Sequence, residues 1–303
     1  IHSDVQIEQA VTNDLSFSVG YVHSAGRHIP VYRNINPINP LRYLADGRGV
    51  FSSVINAATR LDPRYNVIQM AESAGNSQYD ALTFQLTQRL SRGLQFTAHY
   101  TLSRAVDDAP EQNISYVALG GMQNLVLSDP YDRSLDKGYS FGDQRHRFVV
   151  SAVAQPQFDV ANKLLHYLIN DNQFAIFSFV NSGERFNIEA DRDLNNDGLF
   201  GPGIRNADRP VAVIRNSGKT PPQFNLDLRY SRLFQISERY KIEVFADFIN
   251  LFNVNSIVGY NDVRVMTDQD GRLVGPIPDF RTRSNNSVSQ ESRQFQLGFK
   301  FSF

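Results

Sequence analysis

The fold class of this chain is decided by its last stretch, Arg293-Gln294-Phe295-Gln296-Leu297-Gly298-Phe299-Lys300-Phe301-Ser302-Phe303. Every odd position from 295 to 303 carries Phe or Leu, and every even position from 294 to 302 carries Gln, Gly, Lys or Ser. Because successive side chains of a β-strand point to opposite faces, this stretch predicts a strand with one apolar and one polar face. Its length suits a transmembrane β-strand, which needs about 9–11 residues, although a soluble strand packed on a core has the same pattern.

Similar alternation recurs upstream, in segments that form pairs. We predict strand pairs at 4–11 and 15–24, 78–90 and 94–106, 146–156 and 172–188, and 223–236 and 240–252. Short polar turns join three of the pairs, whereas residues 159–170 predict either a short helical turn or a longer connection within the third pair. Long loops at about 27–76, 107–144, 190–221 and 254–290 separate the pairs from one another and from the last strand.

This sorting of loop lengths favours a membrane barrel over a soluble β domain. Outer-membrane barrels have short periplasmic turns and long extracellular loops, and structureless loops beyond ~15 residues are uncommon in compact soluble domains. We therefore predict an all-β fold, an antiparallel transmembrane β-barrel of a bacterial outer membrane, of which residues 1–303 form the C-terminal portion. Single-chain bacterial barrels have even strand numbers, so nine strands predict further strands outside this chain, one of which pairs with the last strand.

Composition excludes several other classes of protein. With 30 basic and 31 acidic residues, the chain gives no reason to expect a nucleic-acid partner. The mean hydropathy of −0.35 fits a barrel whose strands are half polar. The absence of cysteine excludes disulfides and thiolate metal sites. The chain begins at Ile1 without a signal peptide, which predicts a processed product or a fragment.

Several motifs, taken in order, carry a family resemblance. They are Tyr79-Asp80-Ala81-Leu82, the stretch 94–108, Gly142-Asp143-Gln144-Arg145-His146-Arg147-Phe148, Ser182-Gly183-Glu184-Arg185-Phe186, Asn206-Ala207-Asp208-Arg209-Pro210 and Phe248-Ile249-Asn250-Leu251-Phe252-Asn253. In that order they resemble the C-terminal half of the barrel of TonB-dependent receptors, and among these the Oar-like group.

The resemblance implies a plugged barrel of about 22 strands, so the plug and the N-terminal strands are expected outside this chain. It also implies uptake of an unidentified ligand with the inner-membrane TonB complex, and contact of the barrel with outer-membrane lipid and lipopolysaccharide. Loops 27–76, 107–144 and 254–290 are then expected to face outward and meet the ligand. Two alternatives stay open: a structural or adhesive surface protein, and a passive porin-like channel.

The last strand has a second interpretation. An amphipathic terminal strand that ends in an aromatic residue resembles the signal that the outer-membrane barrel-assembly machinery recognises. The residues that form this predicted assembly signal are Phe295, Leu297, Phe299, Phe301 and Phe303. Alternatively, Phe303 is only an aromatic residue at the membrane interface.

The sharpest local motif runs from Asp191 to Gly198. From Asp193 it reads D-x-N-x-D-G, the first half of a calcium loop, in which alternate side-chain oxygens serve a cation that takes six to eight oxygen ligands. The twelfth position is Ile204 rather than Glu, which excludes an EF-hand and leaves Asp191 or Asp208 to complete the site. We predict a structural Ca²⁺ site, and a solvated acidic turn fits the same pattern. The candidate ligands are Asp191, Asp193, Asn195, Asp197 and Asp208.

No motif predicts catalysis. We interpret His146 as a polar interfacial or loop residue, Asp107-Asp108 as a solvated pair at a loop start, and Gly47-Arg48-Gly49 as too short for a phosphate site. Nucleophile elbows, phosphate loops and metalloprotease motifs do not occur in the sequence, so we expect no enzyme and no catalytic residue. The stretches 32–37 and 129–133 predict either ligand-binding loops or loops packed on one another.

Overall fold

The chain folds around one large antiparallel sheet, seen in a computed structural model that describes residues 1–109, 127–199, 208–237, 239–257, 264–276 and 292–303. Nine strands follow one another in chain order, each hydrogen-bonded to the next. They are β1 (His2–Ala10), β2 (Leu15–Asn34), β3 (Gln69–Ser91), β4 (Leu94–Asp107), β5 (His146–Ala154), β6 (Asn172–Asn181), β7 (Gln223–Gln235), β8 (Lys241–Ile249) and β9 (Gln294–Ser302). The prediction of an all-β antiparallel fold is confirmed, and the described strands do not close into a barrel because β1 and β9 lie at opposite edges.

One face of this sheet is apolar across all nine strands. Cross-strand partners on it form two overlapping rows, Ile7-Val19-Phe84-Tyr100-Phe148-Val180-Phe224 and Phe96-Ala152-Ile176-Leu228-Phe248-Phe295. Many of these side chains are exposed, and Phe299 on the last strand is 78% exposed. A continuous exposed apolar surface of this kind is what a lipid-facing barrel wall requires.

The opposite face is largely polar. The guanidinium of Arg229 lies against Asp247 of the next strand, with Nη2 and Oδ2 2.7 Å apart. Gln85 donates to Thr87 along β3, and Ser231 donates to Gln173 across to β6. The predicted alternation of apolar and polar faces therefore holds from the first strand pair to the last strand.

The short connections all lie at one end of the sheet, the short-turn end. In the first turn the Thr12 hydroxyl accepts the N–H groups of Asp14 and Leu15. In the second, Arg92 and Gly93 both adopt positive φ, 50° and 76°, which suits a two-residue hairpin turn. Between β5 and β6, the helix α1 (Lys163–Ile169) begins after Asn162, whose side chain accepts the N–H groups of Leu164 and Leu165. Of the two expectations for residues 159–170, the helical turn is the correct one.

Two strands are longer than the sequence predicted. β2 was expected to end at 24 and β3 to begin at 78, but the register continues to the pair of Asn34 with Gln69. This extension includes Gly26, Pro30 and charged residues and lacks an apolar face, so no alternation marked it as a strand. The loop expected at 27–76 is therefore residues 35–68. Two other strands are shorter than predicted: β6 ends at Asn181 and not at 188, and β8 ends at Ile249 and not at 252.

The long connections lie at the opposite end, the long-loop end, where they pack into a loop layer, defined as the described parts of residues 35–68, 108–145, 182–222 and 250–293. One apolar cluster lies within the loop layer and consists of Leu44, Val50, Ala190, Leu194 and Val211. A second cluster joins the loop layer to β2 and β3 and consists of Val31, Ala109 and Leu127 with Ile29 and Ala74. The loop layer also contains short strands that the sequence did not predict. They are Arg42–Tyr43, Gly49–Val50, Gly138–Tyr139, Arg185–Phe186, Glu189–Ala190, Gly218–Lys219, Arg264–Thr267 and Leu273–Pro276, with a 3-10 turn at Arg133–Asp136.

The loop stretches singled out in the sequence pack on one another. The Tyr131 hydroxyl donates to the carbonyl of Pro37 at 2.7 Å, and Arg33 reaches the carbonyl of Pro130. Parts of the predicted loops 107–144, 190–221 and 254–290 lie outside the described residues. In the described part of the chain no helix has the length and apolar character to cross a membrane.

Candidate metal centre in the long loops

The D-x-N-x-D-G motif lies where three long loops meet. The N–H of Phe51 donates to the carbonyl of Asn195 at 2.7 Å, and the Asn34 side chain donates to the carbonyl of Asp197 at 3.0 Å. The Asn195 side chain donates in turn to the carbonyl of Ser128 at 3.1 Å. The motif is thus hydrogen-bonded to the end of β2, to the loop after it and to the loop between β4 and β5.

The motif folds as the pattern predicts. Oδ1 of Asn195 accepts the N–H of Asp197 at 3.0 Å, and Oδ2 of Asp193 accepts the N–H of Gly198 at 3.0 Å. Asn196 and Gly198 adopt positive φ, 53° and 84°. Glycine adopts a positive φ at the least cost, so the turn by itself explains why a glycine stands at position 198.

Three carboxylates of this region each keep one oxygen without a partner. Asp197 uses Oδ1 to accept the N–H of Leu199 at 2.8 Å, and Asp208 uses Oδ1 to accept the N–H of Leu194 at 2.7 Å. Oδ1 of Asp193, Oδ2 of Asp197 and Oδ2 of Asp208 are buried and accept no hydrogen bond. A buried polar atom left unpaired costs about 1–3 kcal/mol, so three of them in one place need an explanation.

The electrostatics show that these carboxylates are neighbours. Burial raises the pKa of the Asp197 carboxyl to about 7, and the charge of Asp193 adds to the rise. Burial, followed by the charges of Asp193 and Asp197, raises the pKa of Asp208 well above its usual range. Burial also raises the pKa of Asp193, although N–H groups of the motif oppose this. Each carboxylate therefore destabilises the charge of the others.

Two buried arginines are near: the charge of Arg60 lowers the pKa of Asp197 and that of Arg48 lowers the pKa of Asp208, although burial outweighs both effects. Nη1 of Arg48 and Nε of Arg60 are buried without a partner, and the other donors of these side chains bind elsewhere. Arg48 pairs with Asp46 at 2.8 Å and donates to the carbonyl of Arg209. Arg60 donates to the carbonyls of Ser52 and Thr59. Among the ion pairs of the described residues, none joins either arginine to the three carboxylates.

Of the five residues predicted as ligands, Asp191 binds a different part of the chain. Its Oδ1 accepts the N–H and the hydroxyl of Thr267, at 3.2 and 3.0 Å, in the short strand Arg264–Thr267. Asp193, Asn195 and Asp197 belong to the same turn, and Asp208 is bound to it through the N–H of Leu194. In their present positions, no three His, Asp or Glu side chains of the described residues are arranged to hold a metal ion. The calcium site therefore stays a prediction.

The residues considered for catalysis have other partners. Nδ1 of His146 lies 2.8 Å from the Tyr100 hydroxyl on the apolar face, consistent with an interfacial role. The interpretation of Asp107-Asp108 as a solvated pair is wrong: Asp107 pairs with the buried Arg215, and Asp108 pairs with Arg133 at 3.3 Å. Gly49 donates its N–H to Asp129 in the loop layer. Sequence reasoning missed the buried arginines, because nothing in the pattern separates a buried loop arginine from an exposed one.

The predicted assembly signal occupies β9 and the residue after it. Phe301 stacks on Tyr240 with ring centroids 5.8 Å apart, and on Phe303 at 6.0 Å. Leu297 and Phe299 are exposed on the apolar face. These aromatic rings gather at the short-turn end, the position of an interfacial girdle. Recognition of this strand by an assembly machinery stays a prediction.

Three solved structures are similar to this chain over almost its whole length, at low sequence identity. The outer membrane transporter YddB from Escherichia coli is similar over 99% of this chain and 32% of its own, with 9% identity and a TM-score of 0.49. FpvA of P. aeruginosa, solved with a pyoverdine–iron complex, is similar over 99% and 26%, with 10% identity and a TM-score of 0.49. BauA, the ferric preacinetobactin receptor from Acinetobacter baumannii, is similar over 100% and 29%, with 8% identity and a TM-score of 0.43. The chain spans about a third or less of the length of these proteins.

Curated proteins give no significant match to the sequence. A family model does: residues 2–218 of the 303 match the outer membrane beta barrel domain. The match covers β1 to β6 and most of the loop layer, and the exposed apolar face described above continues from these strands through β9. This chain therefore belongs to the outer membrane beta barrel domain family, and its place is the bacterial outer membrane.

Proposed function

We propose that residues 1–303 form the C-terminal part of the barrel of a TonB-dependent outer-membrane receptor that takes up a ligand not yet identified. One observation carries the proposal: an open meander of nine strands in which the described parts of the long connections gather at one end in the loop layer. Among the described strands of the meander, β1 and β9 are its two ends, which fits a barrel that is larger than this sheet. The ordered motifs that resemble TonB-dependent receptors support the same assignment; the Oar-like subtype stays a prediction.

The dimensions of β2 and β3 support a ligand-facing role for the loop layer. These strands have 20 and 23 residues, whereas crossing a bilayer takes about 9–11 residues. Their extra length runs toward the long-loop end and ends in the loop layer. The proposal places the loop layer outside the cell, next to lipopolysaccharide, and the short-turn end toward the periplasm and the TonB complex. β9 would serve the assembly machinery during insertion.

The orientation can be tested because residues 1–303 contain no cysteine. Val54 lies in the loop layer and is 60% exposed, and Asn13 lies exposed in the first short turn. In the complete gene product, Val54→Cys should react with a membrane-impermeant maleimide on intact cells. Asn13→Cys should react only after the outer membrane is permeabilised. The reverse pattern would place the loop layer in the periplasm and end the proposal.

Two experiments distinguish transport through a plugged barrel from the alternatives, a porin-like channel and a structural or adhesive surface protein. The complete gene product, reconstituted in a planar bilayer with KCl, should give no steady conductance until its plug is deleted; steady conductance of the intact protein would indicate a porin-like channel. The gene should encode a plug and a TonB-contacting segment before Ile1. A gene without them would favour a structural or adhesive surface protein.

A further inference from the structure

We infer that Asp193, Asp197 and Asp208 form a Ca²⁺ site that holds the loop layer together. The inference does not depend on which ligand, if any, the barrel transports. It begins with the three buried carboxylate oxygens that accept no hydrogen bond, one from each of these residues. Asp197 and Asp208 are 1% and 5% exposed, so bulk solvent does not reach them.

The chemistry of the donors selects a hard cation. Ca²⁺ takes six to eight oxygen ligands at flexible geometry, whereas Mg²⁺ demands near-octahedral geometry and retains several waters. Asp193, Asn195 and Asp197 stand at the first, third and fifth positions of a calcium-loop pattern, and Gly198 stands at the sixth. The oxygen of Asn195 that accepts the N–H of Asp197 retains a second lone pair for the ion.

Asp208 takes the place of the missing Glu at the twelfth position. The N–H of Leu194 donates to Asp208 Oδ1, and the carbonyl of Asp208 accepts the N–H of Ala190. These two bonds hold the Asp208 carboxylate beside the motif while its Oδ2 stays unpaired. The sequence left Asp191 and Asp208 as alternatives for the last ligand. We choose Asp208, because the Asp191 side chain already accepts the hydroxyl of Thr267.

A bound cation would remove the repulsion among the three carboxylates. No three described acidic side chains stand close enough to form a metal group in the structure, so binding requires a local adjustment of the carboxylates. With the cation bound, the carboxylates move toward a shared ion. Because the motif is bonded to Asn34, Phe51 and Ser128, fixing it also fixes the end of β2 and two further loops.

The test uses the complete gene product purified in detergent and stripped with a chelator. Adding Ca²⁺ to about 10 mM, above the ~10⁻⁴–10⁻³ M dissociation constants of extracellular calcium modules, should raise Tm by several degrees. The same addition should slow proteolysis within the loop layer, and equilibrium dialysis with ⁴⁵Ca²⁺ should show a bound ion. No shift and no bound ion would overturn the inference.

Single substitutions distinguish an aspartate that binds Ca²⁺ from one that only stabilises the loop. Asp197→Asn and Asp208→Asn should abolish the Ca²⁺-dependent shift, and in chelator they should be at least as stable as the native protein because a repelling charge is gone. Asp191→Asn, a matched change in the same loop, should keep the full shift. Equal shifts in all three variants would contradict the assignment, as would an Asp197→Asn protein that is destabilised by the same amount with and without Ca²⁺.

Discussion

At the residue scale, the loop layer is stabilised by buried ion pairs rather than by a large apolar core. Nη1 of Arg209 donates to Oδ1 of Asp136 at 2.8 Å, and the two side chains are 4% and 0% exposed. Asp136 also accepts the N–H and the hydroxyl of Ser128, so its carboxylate is fully engaged. Such a pair costs desolvation when it forms, but removing one partner leaves an uncompensated charge.

Asp136→Asn should therefore destabilise the loop layer by about 3–5 kcal/mol, since Arg209 loses the charge that faces it. The control is Asp62→Asn, which weakens the pair with the exposed Arg64 and should change the stability much less, because water screens that pair. Proteolysis of the detergent-solubilised protein at increasing urea concentration measures both changes. Equal losses of stability in the two variants would show that burial does not set the strength of the Arg209–Asp136 pair.

At the element scale, the sequence predicted strands wherever lipid contact imposes alternation. The hairpins on either side of residues 11–14 and 92–93 were predicted to within a few residues, because apolar and polar faces differ along them. The outer halves of β2 and β3 were not predicted, since no apolar face marks the stretch that ends at Asn34. Two-residue strands such as Arg185–Phe186 depend on partners far along the chain and leave no local pattern.

The faces of β9 give the sharpest test at this scale. Phe299 lies in the middle of the strand on the apolar face, and Gln296 lies on the opposite face. Phe299→Lys should cost about 2–4 kcal/mol, the cost of a cation on the lipid face near the bilayer midplane. Gln296→Lys should have little effect. The folded fraction in lipid vesicles, followed against urea concentration, measures both, and a greater loss for Gln296→Lys would assign the faces the other way round.

At the scale of the whole molecule, the contacts that matter most join residues that are far apart in sequence. From the sequence alone, Asp208 and Asp191 are equally suited to be the fourth residue of the candidate site. The choice follows from the hydrogen bond between Asp208 and the N–H of Leu194, and from the short parallel pairing that places Asp191 beside Thr267. The junction of Asn34, Phe51 and Ser128 with the motif likewise depends on loops that only the folded sheet brings together.

The two edges of the sheet lead to the last prediction. Every second backbone N–H of β9 points away from β8, because antiparallel pairing on one side uses only alternate groups. An unpaired edge exchanges its amide hydrogens readily and tends to pair with other chains. In the complete gene product the outward amides of residues 295–302 should be protected by the barrel's first strand, whereas in residues 1–303 alone they should exchange quickly. Hydrogen exchange on both proteins in detergent decides the point: fast exchange in the complete protein would mean that β9 does not close the barrel.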